Sequence, residues 1–124
     1  LRAKMKPGPL GMNDLIVIQT AQGLARHCQS LHHPNDRDSE DRMLVVVGYD
    51  HRCNNSLFLS SRKFALLSKL AFQHAGFDCL VLHDFVFTPL VPYTMKQYPN
   101  AVLGIMITAS HNPALDNGYK VYAL

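Results

Sequence analysis

Ser110 and His111 stand side by side, and Lys120 follows ten residues after the serine. A serine hydroxyl becomes a nucleophile when a neighbouring base or cation activates it. Histidine can move the proton, and lysine can offset negative charge as it develops. The run from Thr108 to Pro113 (TASHNP) gives the serine small neighbours and leaves it accessible. Backbone N–H groups in a tight turn can also cradle a phosphate. Asn112 precedes a proline, which keeps it out of the helical region and constrains the turn. Asp116-Asn117-Gly118 reads as a turn that sends the chain back, so that Lys120 faces the same mouth. By spacing alone the signal is weak: a serine at a strand end is usually a turn or cap residue, and Ser-His pairs are common.

The elements that must hold this loop can be read from the apolar pattern. Lys6 to Gly11, rich in Pro and Gly, is a loop. Asn13 is placed to cap a helix whose first turn carries Asp14. Val17, Ala21, Leu24, Cys28 and Leu31 recur at helical spacing and form its apolar face. His32 to Arg42 is a polar, exposed connection. Met43 to Val47, ending at Gly48, is a valine-rich run of the kind found in strands buried on both faces of parallel sheets. A helix is expected from about Ser60 to Ala75, stopped by Gly76, and a second buried strand from Phe77 to Leu82. Thr88-Pro89 has the form of an N-cap with Pro at the first helical position, opening a short helix to about Gln97. Ala101 to Ile107 is a third buried strand, and Tyr119 to Tyr122 a fourth nearer an edge. Strands alternating with helices predict a three-layer α/β/α domain with a mixed, mainly parallel sheet. Ligands of such sheets bind beyond the carboxyl ends of the strands, which is where the loop after Ile107 falls.

Composition sets the frame. The chain has 124 residues, 48% of them hydrophobic and 17% charged, enough for one domain with a core. A net charge of +3 suits a small anionic substrate and gives no reason to expect nucleic acid. No apolar stretch is long enough for a membrane span, and no leader pattern is present. Cys28, Cys53 and Cys79 are scattered without a CxxC pair, as free thiols of a reducing compartment are, which points to the cytoplasm. The opening at Leu1 reads as an excerpt of a longer protein.

The wording of several segments is more specific than their spacing. Gly104–Pro113 (GIMITASHNP) followed by Asp116–Tyr122 (DNGYKVY) closely resembles the active-serine loop of the α-D-phosphohexomutase superfamily. Leu1–Met5 (LRAKM) and Met12–Leu15 (MNDL) look like the start of that family's first domain, just after its Gly-Thr-(Ser/Ala)-Gly turn. Val45–Arg52 (VVVGYDHR) resembles its Gly-x-Asp-x-Arg segment, and Thr88-Pro89 its Thr-Pro. The matches fall in order over nearly the whole chain and are nearest to the phosphoglucomutase/phosphopentomutase branch. The resemblance implies domain I of a four-domain mutase, spanning 1–124 without its first residues and without the later domains. It implies an enzyme of carbohydrate metabolism that shifts a phosphoryl group between sugar positions through a phosphoserine and a sugar bisphosphate. On it, Ser110 is the phosphoserine, one of whose phosphoryl oxygens binds Mg²⁺. His111 and Lys120 match positions linked to proton transfer and charge stabilisation, and Arg2 matches an arginine approaching the phosphoserine. Asp50 and Arg52 read as a supporting ion pair. The partners implied are a phosphosugar substrate, a sugar bisphosphate activator and the remaining domains of its own chain, with no nucleic acid and no membrane. The Asp-Gly-Asp-type run that supplies the metal carboxylates is not in these residues, so the 124 residues alone are not expected to turn over substrate.

Two other functions fit a similar outline. A non-catalytic phosphosugar-binding relative would have no need of Ser110, His111 and Lys120 together. An unrelated α/β hydrolase would carry a G-x-S-x-G elbow, which is absent. The run through Asp36, Asp38, Glu40 and Asp41 lacks the glycine and later glutamate of a calcium loop and reads as solvated. The pair His32-His33 has no third ligand at useful spacing. His27, His51, His74 and His83 read as surface or partly buried polar residues. Met5, Met12, Met43, Met95 and Met106 read as core filler or loop contacts. Phe85 and Phe87, with Pro89 and Pro92, are expected to hold a loop against the body, part of it available to a following domain.

Overall fold

The computed structural model describes residues 1–32 and 42–123. In chain order these form β1 (Arg2–Lys4), α1 (Asp14–Leu31), β2 (Leu44–Tyr49), β3 (Cys53–Asn54), β4 (Leu59–Ser60), α2 (Ser61–His74), β5 (Asp78–Val81), α3 (Leu90–Met95), β6 (Ala101–Ile107) and β7 (Asp116–Ala123). The acidic run from Asp36 to Asp41 and His33 lie outside the described residues. The main sheet has the order β1-β7-β6-β2-β5, and β3 and β4 make a separate small hairpin. β2 runs parallel to both β5 and β6, whereas β7 is antiparallel to β6 and to β1. The sheet is therefore mixed, as expected, with its parallel half around β2.

Alternation along the strands separates two cores. Val45 and Val47 of β2, with Leu103, Ile105 and Ile107 of β6, face α1 and α2; there they meet Val17, Ala21, Ala25, Phe64 and Phe72. Leu44, Val46 and Met106 point the other way, onto Val91 and Met95 of α3. Ala101 has the parity of Leu103 but joins the α3 side. The register explains this, since Leu44 pairs with Ala101 and Val45 with Leu103, leaving Val102 as a bulge. Helices thus cover both faces, giving the three layers.

Most boundaries fall where the pattern placed them. Asn13 caps α1, its side chain accepting from the Ile16 N–H at 3.1 Å, and Gly76 at φ 91° stops α2. In α1, Ala25 takes a core position and Leu31 is exposed. Met5, Met12, Met95 and Met106 are buried, and His27, His51, His74 and His83 are exposed.

Four expectations are corrected. Gly48 does not end β2: it lies inside the strand because a Cβ there would stand 2.7 Å from Val91 and 2.8 Å from Val86, so only glycine lets α3 and the preceding loop sit against the sheet. Thr88 is not a side-chain cap. α3 begins at Leu90 with Pro89 before it, and Thr88 contributes only its carbonyl, to the Val91 N–H at 3.3 Å. Asp116-Asn117-Gly118 is not a turn. These residues open β7 and pair with Lys4, Ala3 and Arg2, so the chain reverses earlier, at Pro113 to Asp116. The short N-terminal strand accounts for the difference, because it offers a partner that a local turn signal cannot reveal; it also makes β7 internal. Finally, Phe85 only leans edge-on against Tyr49 and His51 and Phe87 is exposed, so the loop is held to the body by Val86 between them and not by the two rings.

Candidate active site

β6 ends at Ile107, and the chain passes through Thr108 and Ala109, both buried, before emerging at Ser110. Ser110 has φ 55°, in the left-handed region that a non-glycine residue adopts at a cost. Its N–H donates to the Thr108 hydroxyl at 3.0 Å. The Asn112 N–H closes a turn on the Ala109 carbonyl at 3.0 Å, and the Asp116 N–H a second on Pro113 at 3.0 Å. The result is a compact loop with the Ser110 side chain exposed at its crest.

β7 returns beside it, and the Lys120 ammonium donates to the Ser110 hydroxyl oxygen at 2.7 Å. The approach of β7 to the loop's root depends on Gly118, where a Cβ would come within 2.6 Å of the Thr108 carbonyl oxygen. His111 is exposed next to the serine. Arg2, held in β1 opposite Gly118, reaches across to donate to the Asn112 side chain at 3.4 Å. The four residues picked from the sequence, Arg2, Ser110, His111 and Lys120, therefore converge at the carboxyl end of β6. A 2.7 Å ammonium–hydroxyl contact is a charge-assisted hydrogen bond, which favours negative charge on that oxygen.

The loop is held from below by Arg52. The guanidinium donates to the carbonyls of Ser110 (2.8 Å), Asn112 (3.0 Å), Pro113 (2.7 Å) and Asp116 (3.1 Å). Its fifth N–H, on Nε, donates to Asp50 at 3.1 Å. The expected ion pair is present, but its reach across the serine loop is not legible in the sequence, because the partners lie 58 to 64 positions away. The one local signal is the i, i+2 spacing of Asp50 and Arg52. Asp50 in turn accepts from the Ser61 hydroxyl at 2.6 Å, and Ser61 from the buried Asn117 side chain at 2.8 Å. Ser61 did not stand out in the sequence, and Asn117 stood out only as part of a turn signal.

Beside the loop an open depression of about 340 Å³ is lined by Asp50, His51, Phe85, Phe87, Thr88 and Thr108. A larger apolar groove of about 660 Å³ lies at the other end of β6, around Leu24, Cys28 and Ala101, away from the serine. Burial pushes the Cys28 thiol up and the Cys79 thiol up to about 12, the latter opposed by the nearby Lys69 charge. Burial likewise raises Tyr119, although its bond to Ser68 works the other way. None of these three belongs to the serine loop. The three cysteines are unpaired. Among the described residues no helix is long and apolar enough to cross a membrane, and no group of three or more His, Cys, Asp or Glu side chains is placed to hold a metal ion.

A mixed sheet sandwiched between helices agrees with the α/β/α layering in the description of the family that the chain matches. The sequence model described as phosphoglucomutase/phosphomannomutase, alpha/beta/alpha domain I, matches residues 1–123, and the chain belongs to that family. It is 43% identical to the phosphoribomutase of Saccharomyces cerevisiae, with 98% of this chain and 18% of the relative aligned. It is 43% identical to the human phosphopentomutase and 38% identical to the mouse glucose 1,6-bisphosphate synthase, each covering 98% of this chain and 19% of the relative. The chain thus spans about a fifth of the length of these relatives.

Proposed function

We propose that this chain is the serine-bearing first domain of a longer phosphosugar mutase and that Ser110 carries the transferred phosphoryl group. The observation that carries this reading is the Lys120–Ser110 contact at 2.7 Å, on an exposed serine held in a left-handed conformation. Higher identity to the phosphoribomutase and phosphopentomutase than to the bisphosphate synthase favours the pentose branch.

In the forward half-reaction a sugar hydroxyl oxygen attacks phosphorus, and the bond between phosphorus and the serine oxygen breaks. His111 takes the proton of that hydroxyl. Lys120 offsets the negative charge that appears on the serine oxygen, and Arg2 attracts the phosphoryl group from the β1 side. The product is a sugar bisphosphate, which reorients and returns its other phosphate to Ser110 by the same steps reversed. Phosphoryl transfer of this kind depends on positioning and on cations that neutralise spreading charge.

Mg²⁺ is the expected cofactor, supplying charge neutralisation at the phosphoryl group. It takes near-octahedral oxygen ligation; among the described residues no acidic cluster is placed to hold it, so beside an oxygen on phosphorylated Ser110 its carboxylate ligands would come from a later domain. The three unpaired thiols suit a cytoplasmic setting.

The test is to incubate the full-length protein with a sugar bisphosphate and map phosphate by mass spectrometry. Phosphate is expected on Ser110; stable phosphate elsewhere with Ser110 bare overturns the assignment.

A further inference from the structure

The serine loop keeps a conformation it would not choose alone. A left-handed backbone is unfavourable for a non-glycine residue, and it persists only where surrounding structure over-determines it. Beyond the loop's own turns and the Thr108 hydroxyl, the largest share of that support comes from one side chain. All five N–H groups of Arg52 are used: four on carbonyls within seven residues of loop, at positions 110, 112, 113 and 116, and one on Asp50. Four carbonyls drawn inward to a single planar fork leave the loop no freedom to rotate its peptide planes, so the Ser110 side chain is aimed outward. Arg52 is fixed as firmly. Its side chain is 9% exposed and that of Asp50 16%, and Asp50 Oδ1 also accepts from the Arg52 backbone N–H at 3.1 Å.

The anchor extends to the cation. Asp50 bonds Ser61, Ser61 bonds Asn117, and Asn117 lies on β7 three positions before Lys120. One polar chain therefore ties together the loop that presents Ser110 and the strand that presents Lys120. We propose that Arg52, held by Asp50, is a positioning residue for phosphoryl transfer, setting the Ser110 hydroxyl against Lys120 without touching the substrate. This rests on Ser110 being the phosphoryl carrier.

A lysine at position 52 keeps the charge and can still pair with Asp50, but an ammonium is a point donor and cannot span four carbonyls in a plane. In the full-length protein, Arg52→Lys should lower kcat about a hundredfold, the cost of misplacing a reacting group by about 1 Å. KM for the sugar phosphate should stay within about threefold, because the substrate is held by other groups. The ³¹P resonance of the phosphorylated protein should shift or broaden as the phosphoserine samples several orientations. Asp50→Asn, which keeps the four carbonyl bonds and loosens only their anchor, should show the same split with a smaller loss; it also carries the test if Arg52→Lys does not fold. A folded Arg52→Lys protein with kcat within threefold of wild type overturns the proposal. So does a loss in either variant that merely follows the folded fraction while the ³¹P signal is unchanged. The wild-type phosphate map separates this failure from the other: phosphate on Ser110 with a fully active Arg52→Lys sinks only the positioning role, whereas phosphate elsewhere sinks the serine assignment itself.

Discussion

Two loops leave the carboxyl ends of β5 and β6, the strands that flank β2 in parallel, and both line one open depression. The loop after β6 is polar, and its carbonyls turn inward onto Arg52. The loop after β5 is apolar and faces outward, with Phe85 59% and Phe87 88% exposed. It is attached at its ends by backbone bonds, Leu82 N–H to Val47 at 2.8 Å and Val86 N–H to Tyr49 at 3.1 Å, and from behind by Val86 against Gly48. Rigidity in the first comes from long-range hydrogen bonds to a largely buried guanidinium, and attachment in the second from two backbone bonds and the packing of one valine. A group that must meet a phosphoryl transition state needs the first kind of support, because small displacements are costly there. Exposed aromatic surface next to it can be left loosely attached.

The largest effect that would separate the two loops is on catalysis. In the full-length protein, Lys120→Met should lower kcat about a hundredfold or more, as loss of one placed electrostatic group does. Its melting temperature should barely change, since Lys120 is only half-buried. Near wild-type kcat at saturating substrate and bisphosphate would remove Lys120 from the site and leave the 2.7 Å contact as a surface hydrogen bond.

A middle-sized effect concerns the strand that carries the apolar loop. Burial holds the Cys79 thiol of β5 at about 12 against a usual 9.0. A raised pKa means that the folded state keeps its proton while the unfolded chain loses it. The contribution of this thiol to stability is therefore intact below pH 9 and is lost progressively as pH rises from 9 towards 12. Denaturant unfolding of the purified chain, under reductant across that window, should show falling stability and a shallower fall in Cys79→Ala. Tyr119, also raised by burial, adds to the decline at the alkaline end. Equal slopes in the two proteins would mean that the thiol is hydrated.

How far these features could be read in advance differs between the loops for a physical reason. Ala101–Ile107 was legible to the residue because a run buried on both faces leaves no ambiguity, and the cap at Asn13 because it is a local bond. The convergence of Ser110 and Lys120 was legible through family wording, yet the geometric route first assigned to it was wrong. Asp116-Asn117-Gly118 carries turn chemistry but is drawn into β7 by β1, more than a hundred residues earlier. Arg52 was legible as an ion pair and no further. Nothing in Asp50-His51-Arg52 states that four carbonyls of a distant loop will fill the guanidinium's remaining donors. For Phe85 and Phe87 the pattern pointed to packing because apolar residues usually find some. That Gly48 would admit Val86, the residue between them, could not be recognised from sequence.

The smallest expected effect falls on Phe87. At 88% exposure its ring loses almost no water on folding, so Phe87→Ser should leave the stability of the purified chain within about 0.5 kcal/mol. The same change removes the most exposed member of an apolar patch formed with Phe85, Leu90 and Tyr93. Binding of a hydrophobic dye should therefore fall, and the concentration at which the chain begins to associate should rise. Replacing Val86 instead should cost stability, because that side chain fills the space over Gly48. The two substitutions, one position apart, would divide the loop into an anchor and an exposed face. A drop of several degrees for Phe87→Ser would show that the ring is packed after all, and the contrast between the loops would then reduce to the presence or absence of Arg52.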